Sequence, residues 1–183
     1  MNWLTSILIL LTAYLVVGLE ATFEGLRHLL GAQIDLLPAL MVYTALTADF
    51  ITLTVLAAAG GLWLDSLSAN PLGVSVAPLL AVGCVIYSRR ALILRDQYFA
   101  RFFLGLGASA AVPVLTLLLL LSSRHTPLLG WASLWQWLVM SLGGAAFTPL
   151  CFRFFDGLHH AFRYQPALNV PFRPDREIRR GRK

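Results

Sequence analysis

The chain has 183 residues, of which 58% are hydrophobic and 13% charged, with a mean hydropathy of +0.73. Ordinary soluble domains are about 45–50% apolar and about 25% charged, and the excess here lies in runs of roughly membrane-spanning length. The net charge of +5 comes from basic residues beside these runs, so membrane topology explains it better than nucleic-acid binding. We therefore expect an all-α polytopic membrane domain over residues 1–165, with six helices (five possible), and a basic, flexible tail over residues 166–183.

The first apolar run covers residues 3–19. No basic residue precedes it and no small-residue cleavage site follows it, which favours a retained span over a signal peptide. The segment from Glu20 to Asp35 is mixed in polarity, and we interpret it as a surface-lying turn of helix.

Residues 36–64 allow two interpretations: two short helices broken around Ala48 and Asp49, or one long tilted helix that contains Asp49. The run 36–47 covers only about 18 Å at the helical rise, too little to cross a ~30 Å core upright. We favour the break, with Asp49 capping the helix that follows.

The stretch from Gly60 to Gly73, GGLWLDSLSANPLG, predicts a helix hairpin. An apolar run ends at Asp65, and the turn residues Asn70 and Pro71 separate it from the next run. Asp65 is then a carboxylate at the membrane interface that is solvated or caps the turn, or a buried acid paired with a neighbouring helix or partner. Coupling to protons or ions is a third interpretation.

Three further spans are predicted, over residues 72–87, 102–121 and 131–155. Pro78 should kink the first of them. Three tryptophans near the start of the last span form an interfacial belt: Trp131, Trp135 and Trp137.

The basic residues orient the chain. The loop 88–101 and the region from Arg153 to Lys183 hold 12 of the 14 Lys and Arg residues, and the positive-inside rule makes both cytoplasmic. Six spans then place the N-terminus inside, and five place it outside. Basic residues expected to meet anionic lipid headgroups include Arg89, Arg90, Arg95, Arg179 and Arg180.

Small residues recur within the apolar runs, at Gly60 and Gly61 and again over residues 105–111 and 143–146. Small side chains let membrane helices approach closely, either inside the protein or with a partner helix. Cys84 and Cys151 lie in apolar runs and are interpreted as packing residues. No motif combines acid, base and nucleophile, so we expect no catalysis, no cofactor and no metal.

The hairpin stretch resembles a known family. Gly60-Gly61-Leu62-Trp63-Leu64-Asp65 followed by Asn70-Pro71-Leu72-Gly73 resembles the GxLxD…PLG hairpin of the rod shape-determining protein MreD family. The likeness extends over most of residues 30–160 and includes Ile34-Asp35-Leu36-Leu37-Pro38, the basic loop at Arg89-Arg90 and the exit at Phe152-Arg153-Phe154-Phe155. It departs from the family where Pro-Asp often precedes the second helix, because this chain has Ile34-Asp35 there.

The resemblance implies a non-catalytic bacterial inner-membrane protein with six helices and both termini cytoplasmic. It implies binding to an MreC-like single-span protein and, through it, to the MreB filament, RodA and a class B penicillin-binding protein in lateral peptidoglycan synthesis and cell shape. The family's fold is similar to that of substrate-binding subunits of energy-coupling-factor transporters, so the alternative is a small-molecule (vitamin) binding subunit. Such a subunit needs a polar-lined cavity open to the outer side. The sparse polarity of the spans favours the scaffold.

Overall fold

The computed structural model describes residues 3–22, 31–32, 34–68, 71–93, 97–122 and 130–162. Within them the protein is all-helical, as predicted, with helices α1 (Trp3–Thr22), α2 (Leu37–Thr47), α3 (Phe50–Leu67), α4 (Val76–Arg89), α5 (Tyr98–Ser122) and α6 (Trp131–Phe162). Among the described residues, three segments are long and apolar enough to cross a membrane: α3, α5 and Ser133–Leu158 of α6. This fits a membrane protein.

The short helix α2 lies at the centre of the bundle. Every residue from Leu37 to Leu46 is buried, and α2 contacts each of the other five described helices. A helix that is apolar on all sides can be buried on all sides, which is the arrangement here. Near its end, the Tyr43 ring stacks on Phe155 at 4.4 Å and meets Phe152 edge-on at 5.0 Å.

The chain breaks between α2 and α3, as we favoured from the sequence. Ala48 and Asp49 both have extended backbone, with ψ of 176° and 159°. The Ala48 N–H still donates to the Thr44 carbonyl at 2.8 Å, which closes the last turn of α2. Asp49 occupies the N-cap position of α3, but its side chain makes no capping hydrogen bond and is exposed.

Helices α1 and α3 run in the same direction, because Ser6 bonds Thr52 at 2.9 Å and, further along both helices, the Tyr14 ring packs on Trp63 at 4.6 Å. Helix α2 runs against both, since its first turn lies at the end of α1. The later helices continue this alternation, so α1 begins and α6 ends at the same end of the bundle.

Charge separates the two ends. One, the arginine end, carries the four described arginines, Arg89, Arg90, Arg101 and Arg153, with the exposed carboxylates Asp49 and Asp156. There, Arg101 pairs with Asp156 at 3.7 Å. The opposite, carboxylate end holds the other described carboxylates, Glu20, Asp35 and Asp65, and each bonds the backbone at the start of a helix or the turn leading into one.

The predicted start of α4 at Leu72 is wrong. The helix begins at Val76, because residues 72–75 form turns that direct two N–H groups at Asp65. The kink expected at Pro78 is also not required. This proline lies in the first turn of α4, where its missing N–H would have no helical partner.

Helices α5 and α6 meet through small residues. A Cβ on Gly144 would overlap the Ser109 side chain, and one on Gly105 would overlap Thr148 and lie 3.1 Å from the Gly144 carbonyl oxygen. The two backbones therefore approach closely, as small residues permit between membrane helices.

Candidate functional site

Asp65 lies in the last turn of α3 and organises the corner that leads into α4. Its side chain is 1% exposed. Oδ2 accepts hydrogen bonds from the N–H groups of Gly73 at 2.8 Å and Ser75 at 3.1 Å, and Oδ1 accepts from the Ser75 hydroxyl at 2.5 Å. N–H groups before a helix lack helical partners, and the helix dipole favours negative charge there. The structure thus shows one part of each of two interpretations of Asp65. The acid is buried, and it caps the turn of its own hairpin.

Two glycines before Asp65 bring α3 close to its neighbours. A Cβ on Gly61 would lie 2.9 Å from the Val76 Cα, at the start of α4, and one on Gly60 would lie 3.0 Å from Leu37 Cδ1, at the start of α2. Pro71 is exposed in the turn. Asn70 lies outside the described residues. The corner is thus built by Gly60, Gly61, Asp65 and Gly73 against the first turns of two helices.

Gly73 is required by its backbone conformation. Its φ is +91°, a region that residues with a Cβ rarely adopt, and this conformation directs its N–H at Asp65. We expect Gly73→Ala to lower the free energy of unfolding by about 1–2 kcal/mol, because alanine is strained at this φ. Thermal unfolding in detergent measures the effect. Leu72→Ala, at a neighbour that is exposed, is the control and should change stability by less than about 0.5 kcal/mol.

A second pair of acidic side chains, Glu20 and Asp35, lies at the carboxylate end. We did not predict this pair as a site from the sequence. Glu20 Oε1 accepts from the Leu36 N–H at 2.6 Å, and Asp35 Oδ1 accepts from the Leu37 N–H at 3.0 Å. Burial raises the pKa of Asp35 to about 6. Of the segment 20–35 that we predict to lie on the surface, residues 23–30 and 33 lie outside the described residues. The acids at its two ends lie instead at the junction of α1 and α2, where Asp35 is buried and Glu20 is half-buried. The signal in the sequence was that Glu20 follows one apolar run and Asp35 precedes the next.

Arg90, which we expect to meet lipid headgroups, also makes contacts within the protein at the arginine end. Its guanidinium lies 4.1 Å from the centre of the Tyr87 ring, and Nη1 donates to the Ala48 carbonyl at 3.4 Å. It thus ties the end of α4 to the break between α2 and α3. Arg89 is exposed in the last turn of α4. Arg95, Arg179 and Arg180 lie outside the described residues.

The surface of the helix bundle has two grooves that are mainly apolar. One, of about 670 Å³, lies between α5 and α6 and is lined by Leu117, Leu134, Trp137 and neighbouring residues. The other, of about 250 Å³, lies between α1 and α3 beside Tyr14 and Trp63. Neither has the convergent polar groups that fix a small polar ligand.

Within the described stretches, no three His, Cys, Asp or Glu side chains group as metal ligands would. Comparisons with protein-family models, curated proteins and solved structures find no match to this chain.

Proposed function

We propose that the protein is a non-catalytic membrane scaffold of the bacterial cell-elongation complex. It binds an MreC-like single-span protein and helps regulate lateral peptidoglycan synthesis and cell shape. The observation that carries the proposal is the Asp65 corner. The residues that resemble the MreD hairpin, Gly60, Gly61, Asp65 and Gly73, each have a structural requirement in that corner. Residues whose contacts shape such a corner support a role in forming a surface.

The proposed topology has six spans in the bacterial inner membrane, with both termini in the cytoplasm. Two observations support it: the described arginines gather at one end, and α1 begins and α6 ends there. The positive-inside rule favours that end as cytoplasmic. Helix α2 is shorter than the membrane core, but the five surrounding helices shield it from lipid. The Asp65 corner then faces the outer side.

Docking of a partner helix needs an apolar surface, and the groove between α1 and α3 provides one. Helix α1 packs mainly on α2 and α3, which leaves much of its surface exposed, including Leu11 and Leu15. In lipid, helices associate by close packing rather than by hydrophobic burial. The apolar lining of both grooves favours a helical partner over the alternative, a vitamin-binding subunit.

The test is a crosslinking pull-down from native membranes with the protein tagged at its C-terminus. We expect recovery of an MreC-like single-span protein together with wall-synthesis enzymes. A tagged, unrelated multi-span protein expressed at the same level is the control. Recovery of paired ATPases and a coupling subunit would instead identify a transporter component, and a stoichiometric vitamin in the purified protein would count in the same direction.

A further inference from the structure

Two carboxyl groups from different parts of the chain converge where α1 meets α2. Glu20 comes from the last turn of α1, and Asp35 lies two residues before α2. They accept hydrogen bonds from consecutive N–H groups, those of Leu36 and Leu37. Consecutive N–H groups at a helix start are close neighbours, so the two carboxyl groups that accept from them also lie near each other.

Asp35 is buried and Glu20 is half-buried, and neither has a cationic partner among the described residues. Asp35 is 6% exposed, and Glu20 Oε2 is buried with no hydrogen-bond partner among the described residues. No ion pair joins either carboxyl group to a residue that the structure describes. Ionisation of a buried carboxyl group is costly because the charge loses its hydration.

The other described titratable groups on the elements packed here are hydrogen-bonded elsewhere or distant, and Glu24, Arg27 and His28 of the connecting segment lie outside the described residues. Asp65 on α3 is bonded to its turn, and the Tyr14 ring on α1 packs on Trp63. Helix α6 meets this junction where Gly143 contacts Ile34. The remaining described titratable groups of α2, α3 and α6 lie toward the arginine end: Tyr43, Asp49, Cys151, Arg153 and Asp156.

We propose that Glu20 and Asp35 share one proton and form a pH-sensitive latch between α1 and α2. Two adjacent buried carboxyl groups cannot both ionise without strong repulsion. With one proton, the pair carries a single negative charge, and the protonated group can donate to an oxygen of the other. Loss of that proton to water leaves two negative charges at the junction and drives the end of α1 away from the start of α2.

Thermal unfolding of the purified full-length chain in detergent, from pH 5 to pH 9, tests the latch. The folded protein retains a proton that the unfolded chain releases, so stability must fall as the pH rises. We expect the unfolding midpoint to drop by about 5 °C over this range. Glu20→Gln and Asp35→Asn should each abolish most of the drop. Asp49→Asn, at an exposed carboxylate of the other end, is the matched control and should keep it.

Infrared spectroscopy gives a second measurement that does not depend on the variants folding. The wild-type protein should show the carbonyl band of a protonated carboxyl group at pH 6 and lose it by pH 9. Absence of that band at pH 6 overturns the proposal. So does a pH dependence of stability that Glu20→Gln and Asp35→Asn leave unchanged. Both readouts are independent of the proposed partner proteins.

Discussion

Asp65→Leu is expected to lower the free energy of unfolding by about 3–5 kcal/mol. The substitution removes the acceptor of three hydrogen bonds, from the Gly73 N–H, the Ser75 N–H and the Ser75 hydroxyl. A hydrogen bond to a charged group contributes about 1.5–3 kcal/mol, and a buried donor without an acceptor adds a desolvation cost of about 1–3 kcal/mol. The three bonds share one carboxylate, so their contributions do not add fully.

Equilibrium unfolding in mixed micelles measures this loss, and two variants make the result specific. Ser75→Ala removes only the hydroxyl donor and should cost about 1 kcal/mol. Asp49→Ala removes an exposed carboxylate that makes no capping bond, and it should change stability by less than about 0.5 kcal/mol. If Asp65→Leu is as stable as wild type, the carboxylate does not hold the corner together.

Gly144→Ala is expected to separate α5 from α6 and to destabilise the protein by about 3 kcal/mol. The new Cβ would occupy the space of the Ser109 hydroxyl, at a contact between two helices that have little freedom to shift. Gly107→Ala on the outer surface of α5 is the matched control. A Cβ there meets nothing within 4 Å, so this variant should be at least as stable as wild type.

The second-site variant Ser109→Gly distinguishes a local overlap from a general effect. It removes the side-chain atoms that the new Cβ at position 144 would meet, so the double variant should regain most of the lost stability. A double-mutant cycle from thermal unfolding gives the coupling between the two sites. Coupling near zero would contradict the close contact between α5 and α6.

The helices could be predicted because long apolar runs interrupted by Pro, Gly and charged residues allow few alternatives. Their positions relative to one another could not. Lipid and protein interior are equally apolar, so the composition of α2 does not distinguish a central helix from one that faces lipid. The start of α4 was predicted too early for a related reason. Leu72 is apolar, but the turn that contains it is determined by Asp65, seven residues earlier.

The positions of two acidic residues also could not be predicted from the sequence. Glu20 and Asp35 each read as polar residues at the edge of an apolar run, and such residues are normally at the surface. Only the fold brings the end of α1 to the N–H groups at the start of α2, where Asp35 and the Oε2 atom of Glu20 are buried. The sequence likewise did not reveal that the break after α2 gives Arg90 a carbonyl partner.

Because α2 is surrounded by the other described helices, it reaches its final packing only after the last of them, α6, has been synthesised. Helix α2 is synthesised second, but the side chains that cover Tyr43 come from Phe152 and Phe155, near the end of α6. A helix of 11 residues is a weak signal for membrane insertion on its own. The contacts that bury Tyr43 are therefore complete only when α6 has been made. We expect a truncation before α6 to leave α2 without these contacts and to destabilise the whole bundle rather than one of its surfaces.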